Sequence, residues 1–217
     1  MMENIRRNDP INWKLCGLTN KDILCVSLAG LLHDIGHGPY SHFWDNTLIP
    51  LQMAGNVLHH PHEKISIKKW THELASKLII DRIYKNNAHV RGMCDFFDIT
   101  PGDIEFIKEL IDPKGLKHLQ DDQAWRMKGR GQEKAFLYEI ISNKRSGLDV
   151  DKLDYLKRDL KYCKGTDVNI DYIRLFQNCK IEFCPGNGNR SLISIRDKCD
   201  TDVMEVYKLR EKNHREM

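Results

Sequence analysis

The chain has no pair of cysteines at Cys-x-x-Cys spacing and no apolar run near the roughly 20 residues that cross a bilayer. Its seven cysteines, an odd number, are scattered at 16, 25, 94, 163, 179, 184 and 199. That distribution suits reduced thiols better than a disulfide framework or a zinc knuckle. A dominant charge sign is missing as well. Charged residues make up 30% of the 217 positions, yet the formal net charge is only +3. Overall electrostatics therefore point to neither nucleic acid nor an anionic membrane as the partner. Met1–Arg7 carries no signal-peptide apolar region, and no internal repeat or low-complexity tract follows. The expectation is a soluble, intracellular protein with no membrane partner. Its length suffices for one domain with a real core, or for one lobe of a larger domain.

Most of what is present reads as helix. Residues 20–35 form a first helix, with Asn20 as N-cap and Gly36, Gly38 and Pro39 as terminators. Thr71-His72-Glu73 opens another that carries Leu74, Leu78, Ile79 and Ile83. Residues 102–112 and 133–143 read as shorter amphipathic helices, and 150–163 as a well-marked one. Lys180–Cys184 and Ser191–Arg196 flank the turn-rich Pro185–Asn189, which predicts a hairpin. The fold class is thus all-α with a small β-hairpin near 180–196. Residues 50–69 and 113–132 lack periodicity and read as surface loops. The first contains His59-His60-Pro61-His62, which we reject as a metal site because a Pro-interrupted histidine run has no carboxylate support.

Chemistry concentrates in Leu32-His33-Asp34-Ile35-Gly36-His37-Gly38-Pro39-Tyr40-Ser41-His42. A lone His-Asp dipeptide is usually surface decoration or a hydrogen-bonded pair. Here the apolar stretch Cys25–Leu32 leads straight into it, and burying ionisable groups there is costly unless each is satisfied. His33-Asp34 offers a divalent cation one nitrogen and one oxygen, with His37 and His42 close enough to meet a phosphate beside it. A second set lies in Asp149–Leu160. Leu153, Leu156 and Leu160 form the core face, while Asp151, Tyr155 and Asp159 fall at i, i+4 and i+8 on another side, with Lys152 next to the first. For an isolated helix that is a solvated acidic face with an Asp-Lys pair. Joined to the first motif it suits other work: Asp151 as a metal ligand, Lys152 as a phosphate contact, Tyr155 and Asp159 as partners of sugar hydroxyls. Glu73 either orients His72 or pairs with Lys77 one turn on. Basic residues at 142–145 and 206–215 would suit single-stranded nucleic acid, but solvated helix cations are the favoured reading.

Taken together, the run His33–Asp45, Trp70-Thr71-His72-Glu73, Phe136–Arg145 and Asp149–Asp159 resemble the SAM-and-HD-domain deoxynucleoside triphosphate triphosphohydrolases, in order and spacing over residues 16–215. The resemblance implies a helical HD fold that splits a deoxynucleoside triphosphate into deoxynucleoside and inorganic triphosphate, so regulating the cell's pool of these substrates. It implies a divalent metal ion, Fe, Zn, Mn or Mg, on His33, Asp34 and Asp151. His37, His42 and His72 would line the triphosphate and supply the catalytic acid, His72 or His42. Lys152 and Arg210 would touch phosphate, and Tyr155 and Asp159 would hold the deoxyribose. Arg174, Arg196 and Lys198 match positions that bind a regulatory GTP or deoxynucleoside triphosphate between subunits of a homotetramer, and family members are nuclear. The implied organisation is an N-terminal segment over 1–19, a catalytic HD core over 20–175, and a hairpin with the start of a truncated C-terminal region over 176–217.

The chain departs from that pattern in three places. No histidine precedes His33, where the family has a further metal histidine in an Arg-Phe-x-His-Ser type segment. No SAM domain comes before the core, and Met217 follows soon after Arg210, short of the family's C-terminal lobe. The expectation is a truncated member with three of the metal ligands. Two alternatives accompany it: a catalytically weak nucleotide-binding or subunit-interaction paralogue, and an HD-type phosphohydrolase acting on another phosphoester.

Overall fold

Helix α3 (Asn20–Leu32) ends where the His-Asp motif begins, and its start shows what holds it in place. The N-cap is Thr19 rather than Asn20: its hydroxyl accepts from the Asp22 backbone N–H, and the Asp22 carboxylate accepts from Thr19 N–H at 3.0 Å. The sequence places the capping box one residue earlier than the asparagine suggests, because Asp22 stands three residues after Thr19 and not after Asn20. Helix α6 (Pro101–Ile111) repeats the device with Thr100, Asp103 and Pro101 in its first turn. The computed structural model describes residues 1–51, 70–116, 125–165, 171–184 and 190–216. His59, His60 and His62 and the hairpin tip 185–189 lie outside them.

The segment Met1–Thr19 is helical, as α1 (Met2–Asn8) and α2 (Pro10–Leu15). Asp9 caps α2 and also accepts from Ile181 N–H at 3.1 Å, while Asn12 donates to the Ile181 carbonyl at 3.0 Å. These two side chains dock the N-terminal helices on the hairpin. Helix α4 (His72–Asn86) begins at an N-cap on Thr71, as the sequence predicts, and α5 (Ala88–Phe96) follows from it. The stretch read as an amphipathic helix over 133–143 is instead a 3-10 turn (Gln132–Leu137) running into the short α7 (Tyr138–Ile141). Every residue from Ala135 to Ile141 is buried, so no solvent face exists to favour a regular amphipathic helix there. Helix α8 (Val150–Lys164) closes on Gly165 in the left-handed conformation, and α9 (Tyr172–Gln177) leads to the hairpin. Strands β1 (Cys179–Phe183) and β2 (Ser191–Ile195) pair antiparallel from Cys179 opposite Ile195 to Phe183 opposite Ser191. Helix α10 (Asp200–Glu216) completes the described chain. None of the described helices is long and apolar enough to cross a membrane.

Two apolar clusters result. The larger joins α3, α6, α7 and the hairpin through residues such as Cys25, Ala29, Phe106, Leu110, Tyr138 and Ile181. The smaller gathers Leu153 and Leu156 of α8, Leu175 of α9, Cys199 in the turn before α10, and Val206 of α10. The leucine stripe of α8 is therefore core, as its spacing predicts.

Candidate active site

The candidate site lies at the seam of these clusters, where the end of α3 meets the start of α8. His33 is the C-cap residue of α3, and its ring is held by a 2.7 Å hydrogen bond from Nδ1–H to the Gly30 carbonyl. In the neutral ring that bond places the lone pair on Nε2, whereas in the protonated ring Nε2–H donates to a carboxylate. Nε2 lies 3.3 Å from Asp34 Oδ1 and 3.3 Å from Asp151 Oδ1. Two ligands that share an ion at about 2.1 Å sit roughly 3.0–3.4 Å apart. The three side chains thus fit a divalent cation in type, tautomer and spacing. Asp34 and Asp151 remain open to solvent, with side chains 49% and 41% exposed, which leaves room for further ligands. The hydrogen bond to Asp151 is the main reason the His33 pKa is raised to about 9 against the opposing effect of burial. Burial pushes the Asp151 carboxyl up, but the bond and charge of His33, with Lys152 and Arg158, outweigh it and leave the pKa below the ordinary value.

A cluster of three imidazoles adjoins the donor set. His37 stacks on His72 with ring centroids 3.9 Å apart, and His42 meets them edge-on at 5.5 and 6.1 Å. His37 Nε2 is 3.6 Å from Asp34 Oδ1, so Asp34 touches both groups. Burial and the neighbouring His72 lower the His37 pKa, against the pull of Asp34 and Asp45. The His37 Nδ1 atom is buried without a hydrogen-bond partner.

Asp45 organises this cluster, and the sequence reading had not singled it out. A turn of π-helix (Trp44–Leu48) carries its carboxylate inward to 7% exposure. One oxygen accepts from His72 Nδ1–H at 3.0 Å and the other from Trp70 Nε1–H at 2.9 Å. Glu73 is farther away, 3.7 Å from His72 Nε2, and Lys77 pairs with Asp112 at 3.0 Å rather than with Glu73. Ser76, fully buried in α4, donates to the His33 carbonyl at 2.6 Å and accepts from Gly36 N–H at 2.9 Å. Gly36 allows that approach: a Cβ there would lie 2.3 Å from the His72 carbonyl oxygen.

Residues 7–122 match the HD domain family. This chain belongs to the HD-domain family. The chain is 37% identical over 198 residues to the deoxynucleoside triphosphate triphosphohydrolase SAMHD1 of Gallus gallus, 38% over 198 residues to that of Danio rerio, and 38% over 199 residues to that of Homo sapiens. Each match takes in 91% of this chain. The chain spans about 30% of the length of these curated relatives.

The other residues singled out around the HD motif fall into three positions. Tyr155 is one turn beyond Asp151 on α8 and is hydrogen-bonded by Arg210 of α10; burial raises its pKa while Arg210 opposes the rise. Asp159 is a turn farther, half-buried, with Arg158 Nε 3.9 Å away. Lys152 is held at its own helix start, its ammonium 3.3 Å from the capping carboxylate of Asp149. The motif Asn143-Lys144-Arg145 acts as a brace: Arg145 forks onto buried Glu139 at 2.8 and 2.8 Å and donates to the Ile193 carbonyl. Arg174, Arg196 and Lys198 gather away from the histidines, where α9, β2 and α10 meet. Arg174 pairs with Asp202 at 2.9 Å and donates to the Lys198 carbonyl at 3.0 Å, whereas the Arg196 and Lys198 side chains are exposed.

Proposed function

We propose that this HD domain hydrolyses deoxynucleoside triphosphates to the deoxynucleoside and inorganic triphosphate in a metal-dependent reaction. The observation that carries the reading is the shared Asp34: one carboxylate touches a three-residue donor set on one side and a stacked histidine pair on the other. A divalent cation on His33, Asp34 and Asp151 would supply Lewis-acid polarisation of the α-phosphate and acidification of the attacking water. The chain's own residues do the rest. Water oxygen bonds to the α-phosphorus as the bond to the 5′-oxygen breaks, and the proton the water loses passes to bulk solvent. His72, with Nδ1–H held by Asp45, presents Nε2–H to that departing oxygen and protonates it. A proton donor must be aimed before it can help, and His72 is the histidine with a buried carboxylate to aim it. His37, stacked on His72, faces the triphosphate, whose charge opposes the lowering of its pKa. Lys152 and Arg210 meet phosphate charge, and Tyr155 and Asp159, one and two turns beyond Asp151 on α8, hold the deoxyribose. The similarity to SAMHD1 proteins over 91% of the chain supports this substrate class over a generic phosphomonoester.

A regulatory guanine or deoxynucleoside triphosphate at Arg174, Arg196 and Lys198, drawing chains into an oligomer, is the second part of the proposal. Two exposed cations beside the Arg174–Asp202 pair support it. The test of the first part is incubation with each of the four deoxynucleoside triphosphates and Mn²⁺ or Mg²⁺, with and without GTP. Expected products are deoxynucleoside and inorganic triphosphate in equal amounts, lost in Asp151→Ala. Binding without any turnover would favour the nucleotide-binding paralogue, and orthophosphate from monoesters alone would favour another HD phosphohydrolase.

A further inference from the structure

After α3 the chain makes a run of tight turns, and one backbone bond in that run is replaced by a side chain. Ile35 N–H donates to the Leu32 carbonyl at 3.4 Å and His37 N–H to the Asp34 carbonyl at 3.0 Å, each the three-residue bond of a tight turn. Between them, Gly36 N–H does not donate to the His33 carbonyl. It donates at 2.9 Å to Ser76 Oγ, and the same hydroxyl donates at 2.6 Å to the His33 carbonyl. A hydroxyl from α4 is thus inserted into the turn His33–Gly36, its donor and its acceptor both spent on backbone. Ser76 is fully buried there. Asp34 is the residue this turn carries. Among the described residues its half-exposed carboxylate meets two rings, His33 Nε2 at 3.3 Å and His37 Nε2 at 3.6 Å. Where it points is therefore set by the backbone on either side of it.

Resting on the reading above, we propose that Ser76 is a positioning residue for that reaction: its hydroxyl wedges open the turn that bears Asp34 and so fixes the Asp34 carboxylate between the metal donors and the histidine cluster. With the hydroxyl removed, the turn is free to close on a direct bond of about 2.9 Å from Gly36 N–H to the His33 carbonyl. Asp34 and Ile35 are the central residues of that turn. Their dihedrals change as it closes, which swings the carboxylate away from the place where it meets both rings. The wedge also joins two parts of the site. Ser76 lies one turn after His72 on the same face of α4, and Gly36 packs directly on the His72 carbonyl oxygen. The helix that presents the proton donor thereby holds the backbone of two metal donors, and α4 sets the spacing between acid and cation.

The test is Ser76→Ala, with Mn²⁺ binding followed by titration calorimetry. The dissociation constant should rise about 10- to 100-fold, the usual effect of removing the support behind a ligand. Unfolded protein lowers the stoichiometry of such a titration and leaves the dissociation constant of the folded fraction in place, so a loss of stability alone gives a different result. With a deoxynucleoside triphosphate at saturating Mn²⁺, kcat should fall about tenfold or more while KM holds, because misplacement acts on the reacting geometry. Ser76→Cys, close to serine in shape but a weak donor, is the second variant and should move both quantities in the same direction. It takes the place of Ser76→Ala, under the same criteria, if the alanine variant yields no folded protein. A folded variant with the parent's dissociation constant overturns the proposal. If the unmodified chain binds Mn²⁺ but hydrolyses none of the four triphosphates, the hydrolase reading fails, and the calorimetric comparison still decides the role of Ser76.

Discussion

Asp45 is the residue on which the proton chemistry turns. Both its oxygens are engaged, by His72 and Trp70, in a buried position. An amide in its place can still accept one of those bonds, but it presents an N–H₂ to the other donor and no charge to the imidazole. Asp45→Asn should therefore lower kcat by about 10- to 100-fold, the usual effect of losing a carboxylate that orients a functional histidine. Metal content, measured by mass spectrometry of the purified variant, should stay at the wild-type level because His33, Asp34 and Asp151 are untouched. An unchanged kcat would show that Glu73 or another group aims His72. The histidines around this site were readable because they crowd one short motif, and Asp151 because it shares a spacing with Tyr155 and Asp159. Asp45 carried a weaker signal. It is the one carboxylate between Asp34 and Glu63, three residues after His42. Its role depends on a π-turn that no periodicity announces.

Between elements, Arg130 is the piece that ties helix starts together. Its Nε donates to Asp22 at 2.7 Å and its Nη2 to Asp103 at 2.6 Å, so one guanidinium joins the capping carboxylates of α3 and α6. The same group lies 4.3 Å from the centre of the Phe106 ring, and Lys134 adds a second cation to Asp22 at 2.9 Å. Burial pushes both carboxyls up; hydrogen bonds from Lys134 and Arg130 at Asp22, and from Thr100 and Arg130 at Asp103, bring both below the usual value of 3.8. Depressed carboxylates stabilise the fold above their unfolded pKa, and that contribution disappears as pH falls through the folded one. Arg130→Ala leaves two buried carboxylates short of a counter-charge and should cost about 3–5 kcal/mol at pH 7. The penalty should shrink when urea unfolding is repeated at a pH below the parent's lowered folded values, where the parent as well as the variant protonates these groups. An equal penalty at both pH values would assign the loss to packing on Phe106 instead. The helices over 20–32, 72–86, 101–111 and 150–164 and the existence of the hairpin were legible from caps, apolar spacing and turn residues. The clamp was not, because Arg130 lies in a stretch without periodicity and meets partners 108 and 27 residues away. The stretch 133–143 was misread as an amphipathic helix for a related reason: Ala135 to Ile141 are buried on all sides, so no polar face marks where a regular helix would run.

At the scale of the molecule, the donor set spans the two apolar clusters. His33 and Asp34 follow α3, which belongs to the larger one, and Asp151 opens α8, which belongs to the smaller. The smaller cluster has far fewer fully buried side chains, so α8 to α10 should open at lower free energy than α6, and their amides should exchange faster in chelator-treated protein. A cation bound across the seam makes that opening break a metal site. At a free concentration about 100 times its dissociation constant, the added cost is roughly 2.7 kcal/mol, which slows exchange about 100-fold. Hydrogen exchange with and without Mn²⁺ should show that slowing in the first turns of α8, residues distant in sequence from the His-Asp motif. Asp34→Ala should abolish it there, although the substitution lies in the other cluster. Protection confined to the end of α3, with α8 unmoved, would mean that Asp151 is not a ligand and that the cation sits instead among Asp34, His37 and His72, whose donor atoms also lie within 4.8 Å of one another.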